Sequence, residues 1–100
     1  MTFANVATLE TVTGGRDEVV ALLTRSGPEL RAAGCLLYEV GVNDDHPDTV
    51  YVVELWESER AHRASLDLEG VRAAIAEARP RLTGRVGGER FTVVGSPLRD

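Results

Sequence analysis

Thr49-Val50-Tyr51-Val52-Val53-Glu54-Leu55-Trp56 is the stretch on which the fold turns. Its β-branched and aromatic residues predict a strand whose side chains alternate between faces. Val50, Val52, Glu54 and Trp56 then point one way, and Tyr51, Val53 and Leu55 the other. Upstream, Asn43-Asp44-Asp45-His46-Pro47-Asp48 has the composition of a hairpin loop, so Cys35 to Val42 is expected as an antiparallel partner. Strict alternation there sets Leu36, Tyr38 and Val40 opposite Cys35 and Leu37. Downstream, Ser58 is the expected N-cap of a helical pattern that runs to about Ala78, breaks at Gly70 and ends at Pro80.

The flanks complete the pattern. Thr2 to Val12 reads as a first strand, with Phe3, Asn5, Ala7 and Leu9 on one face. Thr13-Gly14-Gly15 is a turn, and Asp17 and Glu18 follow where a helix N-terminus favours acids. Val19, Leu22, Leu23, Leu30 and Ala33 supply an apolar stripe, which Pro28 divides around Gly27. Gly34 is the stop signal, and Arg85 to Val94 is the expected last strand. Strand, helix, strand, strand, helix, strand is the ferredoxin-like α+β order βαββαβ: a four-stranded antiparallel sheet with helices on one face. Both faces of the central strands are apolar, so the uncovered face would be a larger exposed patch than a monomer usually carries. A homodimer closed sheet to sheet, a dimeric α/β barrel, is therefore expected.

Composition narrows the chemistry. One hundred residues make a single domain, 1–100, near the low end for a self-sufficient core. A net charge of -5 with scattered arginines provides no basic stripe for nucleic acid. Neither a membrane span nor a signal peptide is expected, which places the protein in the cytoplasm. All eleven basic residues are arginine, so a lysine Schiff base is excluded. Cys35, alone and beside Leu36 and Leu37, reads as a small buried hydrophobe. The two histidines, His46 in the polar loop and His62 in the helix, lack metal-site spacing, and no metal is expected. Gly14-Gly15 and Gly87-Gly88 lack the remaining glycines of a nucleotide fingerprint, so no nucleotide cofactor is expected either.

The candidate working end is the strand-to-helix corner at Trp56, the only tryptophan. Asn5 is an amide among apolar strand neighbours and needs partners. Trp56 reads either as a ligand platform or as a core anchor, Tyr38 as a ligand contact or as packing with its hydroxyl satisfied, and His62 as a base or as a structural helix residue. Glu54 reads as a structural acceptor for arginines of the adjoining helix, and Arg79 or Arg81 as cations near a cavity mouth or as solvated helix-end charges.

Gly34-Cys35-Leu36-Leu37-Tyr38-Glu39-Val40 and Glu54-Leu55-Trp56-Glu57-Ser58 resemble the Gly-Cys-x-x-Tyr and Glu-x-Trp motifs of the antibiotic biosynthesis monooxygenase family. A weaker helical match runs through Ala61-His62-Arg63-Ala64-Ser65-Leu66 and Val71-Arg72-Ala73-Ala74-Ile75. The resemblance implies a dimeric ferredoxin-like protein and a cofactor-independent monooxygenase that takes a small quinol- or anthrone-type aromatic and dioxygen. Such a substrate, once deprotonated, passes an electron to dioxygen by itself. On this reading His62, Asn5 and Trp56 are the catalytic set, and Tyr38, Trp56 and Ser65 contact substrate. One position departs from the family: Ser65 stands where a histidine is common nine residues after the tryptophan, with His62 a helical turn earlier. The resemblance also reaches haem-degrading relatives, which would use a first-strand asparagine, the tryptophan and that histidine. Haem binding and a non-catalytic dimeric binding domain are thus the alternatives.

Overall fold

The computed structural model describes residues 1–25 and 27–99. Four strands, β1 (Phe3–Thr11), β2 (Cys35–Val42), β3 (Thr49–Trp56) and β4 (Leu82–Thr92), form one antiparallel sheet in the order β2-β3-β1-β4. Between β1 and β2 lie α1 (Arg16–Leu23) and α2 (Gly27–Ala32); between β3 and β4 lie α3 (Glu59–Ser65), α4 (Glu69–Ala78) and a short 3-10 turn (Arg79–Arg81). This is the expected ferredoxin-like α+β order. Among the described residues no helix is long and apolar enough to cross a membrane.

Local chemistry explains most boundaries. Pro28, which cannot donate a backbone hydrogen bond, stands in the first turn of α2 and keeps it separate from α1. Gly34 takes φ +104, a conformation side chains rarely adopt, and turns the chain into β2. The Ser58 side chain accepts from the Ala61 N–H at 3.0 Å and starts α3 as an N-cap. The helical break lies at Leu66–Leu68 rather than at Gly70. There Asp67 and Leu68 donate to Ala64 and Ser65 in tight turns, and Leu68 becomes extended. The Ser65 hydroxyl donates to the His62 carbonyl at 2.5 Å, a back-bond that disfavours further helix. Gly70 belongs to the first turn of α4, where a Cβ would collide with the Glu29 carboxylate.

Register aligns the helix-side face into rows across all four strands. Val42, Val50, Leu9 and Val86 form one row, and Val40, Val52, Ala7 and Gly88 the next. Then come Tyr38, Glu54, Asn5 and Arg90, and finally Cys35, Trp56, Phe3 and Thr92. Cys35 and Tyr38 therefore share a face, against the strict alternation expected. A register shift between Cys35 and Leu37 inserts one extra residue and returns Tyr38 to the helix side. The last strand starts earlier and ends earlier than Arg85 to Val94. Gly88 adopts φ +110 with the Val6 carbonyl where a Cβ would stand, so only glycine lets β4 lie this close to β1.

The buried residues divide into two groups. Val19 of α1 packs on Val50 and Val52, with Leu9, Leu23, Val40 and Leu82 around them. Leu30 of α2 packs with Cys35 and Trp56, joined by Ala61 and Val71. The opposite sheet face carries Val6, Leu37, Val53 and Phe91, all exposed, with Tyr51 and Leu55 half-buried and Glu39 and Glu89 among them.

Candidate functional site

Between the two packed groups, the helix layer leaves a cavity of about 180 Å³. Asn5, Tyr38, Glu54, Trp56, His62, Ser65 and Arg90 line it together with leucines of α1 and α2 and Leu66, Val71, Ala74 and Ile75 of the second helical pair. All five residues singled out from the sequence, Asn5, Tyr38, Trp56, His62 and Ser65, thus meet in one place. His46 stays in the exposed hairpin loop, as expected.

Glu54 organises this wall. Its Oε2 accepts from Asn5 Nδ2 at 2.6 Å and its Oε1 from Trp56 Nε1 at 3.0 Å. The expectation that Glu54 serves arginines of the neighbouring helix is thereby corrected: its partners are the amide and indole beside it in the sheet rows. Asn5 gains the partner its burial demands. Trp56 is fully buried, with its single polar atom satisfied, so it is anchor and cavity wall together.

His62 is 4% exposed, and its ring packs edge-on against Trp56 at 5.6 Å and tilted against Phe3 at 5.5 Å. Its Nε2 lies 3.9 Å from Glu54 Oε1. Burial lowers its pKa below the ordinary 6.5; the Glu54 charge opposes this, the Arg90 charge adds to it, and Glu59 opposes it. The net direction keeps the imidazole neutral at pH 7, the state in which one ring nitrogen accepts a proton. Burial, followed by the nearby Glu54 charge, raises the Tyr38 pKa, so its hydroxyl holds its proton and can act as a donor. Cys35 is also raised, chiefly by burial, and its Sγ donates to the Leu37 carbonyl at 3.3 Å, consistent with an unreactive small hydrophobe.

Arg90 is the cavity residue that the sequence reading missed. It sits beside Asn5 in the polar row and lines both the cavity and an open groove of about 590 Å³ that continues along β4. Asn5, Leu23, Tyr38, Glu54 and Arg90 are common to the two spaces. The signal was available in β4, where Val86, Gly88 and Arg90 alternate onto the helix side, but finding it required the β1–β4 register. The arginines favoured instead lie elsewhere: Arg81 pairs with Glu18 at 2.5 Å, Arg79 is exposed at the end of α4, and neither lines the cavity. Among the described residues no cluster of three or more His, Cys, Asp or Glu side chains could hold a metal ion.

An aromatic wall, a neutral imidazole, a phenolic donor and a guanidinium around an apolar hollow can bind a flat ring, remove a proton from it and stabilise the anion formed. Residues 2–77 match the model of a family described as antibiotic biosynthesis monooxygenase. Among solved structures, a Chloroflexus aurantiacus protein provisionally described in those words is 28% identical, with 96% of each chain covered and a TM-score of 0.83. A Caulobacter crescentus protein, described likewise, is 23% identical over 94% of this chain and 91% of its own, with a TM-score of 0.83. A Mycobacterium tuberculosis protein is 20% identical over 96% of this chain and 98% of its own, with a TM-score of 0.81. At these last two identities the likeness is one of fold. No curated protein matches the chain.

Proposed function

The chain belongs to the antibiotic biosynthesis monooxygenase family, and from that premise we propose that it oxidises a small quinol- or anthrone-type aromatic with dioxygen and without a bound cofactor. The observation that carries the reading is a buried, neutral His62 facing a hollow whose other walls are mainly apolar. The substrate ring lies against Trp56, with Leu66 and Ile75 opposite. The Tyr38 hydroxyl donates to a ring oxygen, and the Asn5 Oδ1, free of the Glu54 bond, accepts from a ring hydroxyl. Ser65 directs its hydroxyl proton to the His62 carbonyl and offers only a lone pair to the cavity.

His62 takes a proton from the substrate hydroxyl or the acidic ring carbon. The resulting anion passes one electron to dioxygen, the two radicals combine into a carbon-bound peroxide, and the imidazolium returns its proton. Cleavage of the O–O bond with loss of the remaining C–H proton gives a new carbonyl and water. For an anthrone the sum is anthrone plus dioxygen to anthraquinone plus water. Oxygen uptake against a panel of hydroquinones and anthrones tests the proposal. Protein-dependent uptake that falls about 10²- to 10⁴-fold in His62→Ala is expected. No uptake across the panel overturns it, and binding without consumption would leave a non-catalytic binding domain.

Haem binding has less support, because Ser65 replaces the histidine of the haem-degrading pattern and His62 Nε2 is held near Glu54. A haemin titration with no Soret shift ends that alternative. A second copy of the chain is proposed to cover the open sheet face, where Val53 is 42% and Phe91 49% exposed. Sedimentation as a stable single subunit at micromolar concentration would sink the dimer. The proposed location is the cytoplasm, where a lone free thiol such as Cys35 is at home.

A further inference from the structure

The cavity under the helices is small for a whole ligand. At about 180 Å³ it falls below the roughly 300–1,000 Å³ that usually encloses a drug-sized molecule, so a larger substrate has to extend into the adjoining groove. The passage between the two runs past the polar row, and the chemistry of that row is specific. Both oxygens of Glu54 already accept hydrogen bonds from Asn5 and Trp56. Tyr38 keeps its proton. Among the described residues Arg90 is the only cation lining either space and has no ion pair, whereas Arg81 and Arg85, which precede it in sequence, are paired with Glu18 and Glu10. The groove floor beside it is Ala7 and Gly88, whose lack of bulk leaves room for a substituent to lie flat on the sheet.

We propose that the substrate is an acidic aromatic: its oxidisable ring enters the cavity beside Trp56, and a carboxylate on the far end is held by Arg90 at the junction with the groove. This rests on the monooxygenase reading only for what happens to the ring; the recognition of the carboxylate is independent of turnover. Arginine suits the task because its planar fork pairs with both oxygens of a carboxylate. Asn5, next to it in the row, is fixed by Glu54 and does not compete for the anion.

The test uses the full chain and matched ligands: a dihydroxybenzoate and its methyl ester, and an anthrone carboxylate and its methyl ester. Binding is followed without oxygen by the fluorescence of Trp56, the only tryptophan, which lines the cavity; turnover is followed by oxygen uptake. The wild-type protein is expected to bind each acid roughly tenfold or more tightly than its ester, the scale of a charge-assisted pair. In Arg90→Gln the preference falls to within about twofold of none, and in Arg85→Gln, on the same strand but outside both spaces, it persists. An equal affinity for acid and ester in the wild type, a preference that survives Arg90→Gln, or no binding of either ligand overturns the proposal. A preference that depends on Arg90 without any oxygen uptake upholds it and removes the oxygenase reading instead. Oxygen uptake with no acid preference does the reverse.

Discussion

Val50 and Val52 on β3, and Glu54 and Trp56 further along the same face, lie under one helix layer, yet the first pair is packed core, with only Val52 touching the open groove, and the second borders the enclosed hollow. Over the valines, α1 alone lays Val19 directly into the sheet, and all three side chains are fully or nearly fully buried. Over Glu54 and Trp56 the cover is assembled from several short helices with a joint at Leu66–Leu68, and their packing around Leu30, Ala61 and Val71 leaves the cavity open. The wall stays upright there because hydrogen bonds hold it: Asn5 and Trp56 are both tied to Glu54. One end of the face is ordered by close packing and the other by polar satisfaction, so substitutions should report differently at the two ends.

The largest effect is expected where both kinds of order coincide. Trp56→Ala removes the biggest fully buried side chain and a partner of Glu54, and should lower stability by about 3–5 kcal/mol in urea denaturation. A loss close to 1 kcal/mol would mean that the hollow extends further behind the ring than the contacts with Leu30 and Cys35 imply. Glu54→Leu keeps the bulk but strands the Asn5 amide and the indole N–H, with an expected loss of about 1–3 kcal/mol. If the variant instead matches the wild-type midpoint, polar satisfaction is not what holds this end. Ser58→Ala removes the cap of α3, the helix that carries His62, and should cost about 1 kcal/mol.

The smallest effect is one of pH. The folded pKa of His62 lies below the ordinary 6.5, so between those two values the unfolded chain binds the extra proton and the folded one does not. His62 therefore contributes stability that is fully present above about pH 6.5 and declines as the pH falls towards its folded value. The groups that set this balance are Glu54 and Arg90 on the sheet and Glu59 on its own helix. Thermal midpoints measured from pH 7.5 to 5.5 should fall on acidification, and less so in His62→Gln. Equal slopes in the two proteins would remove the buried neutral imidazole from the account.

What the sequence revealed is what local composition governs. The alternation in β3, the Ser58 cap, the division at Pro28 and the turn at Gly34 each depend on residues within a few positions, and each stands where expected. The misses depend on partners distant in the chain. The inserted residue between Cys35 and Leu37 exists only relative to β3, and it decides that Cys35 shares the helix-side face with Tyr38. Arg90 becomes a site residue only through its position opposite Asn5, far away in sequence. Glu54 looked like a helix-facing acceptor because the indole that satisfies it, only two residues further on, reads as a hydrophobe rather than as a donor. Ser65 and His62 line the same cavity, but the back-bond between them that ends α3 was not legible from their spacing.

The joint at Leu66–Leu68 also bears on how such a scaffold could be retooled. Leu66 and Ile75 border the hollow while remaining 40% and 39% exposed, and neither belongs to the hydrogen-bonded wall. Exchanges at these two rim positions would reshape the entrance and leave the Asn5–Glu54–Trp56 tie intact. Diversification of ligand range in this chain is therefore expected to proceed by trimming or enlarging the lip, with the floor inherited unchanged.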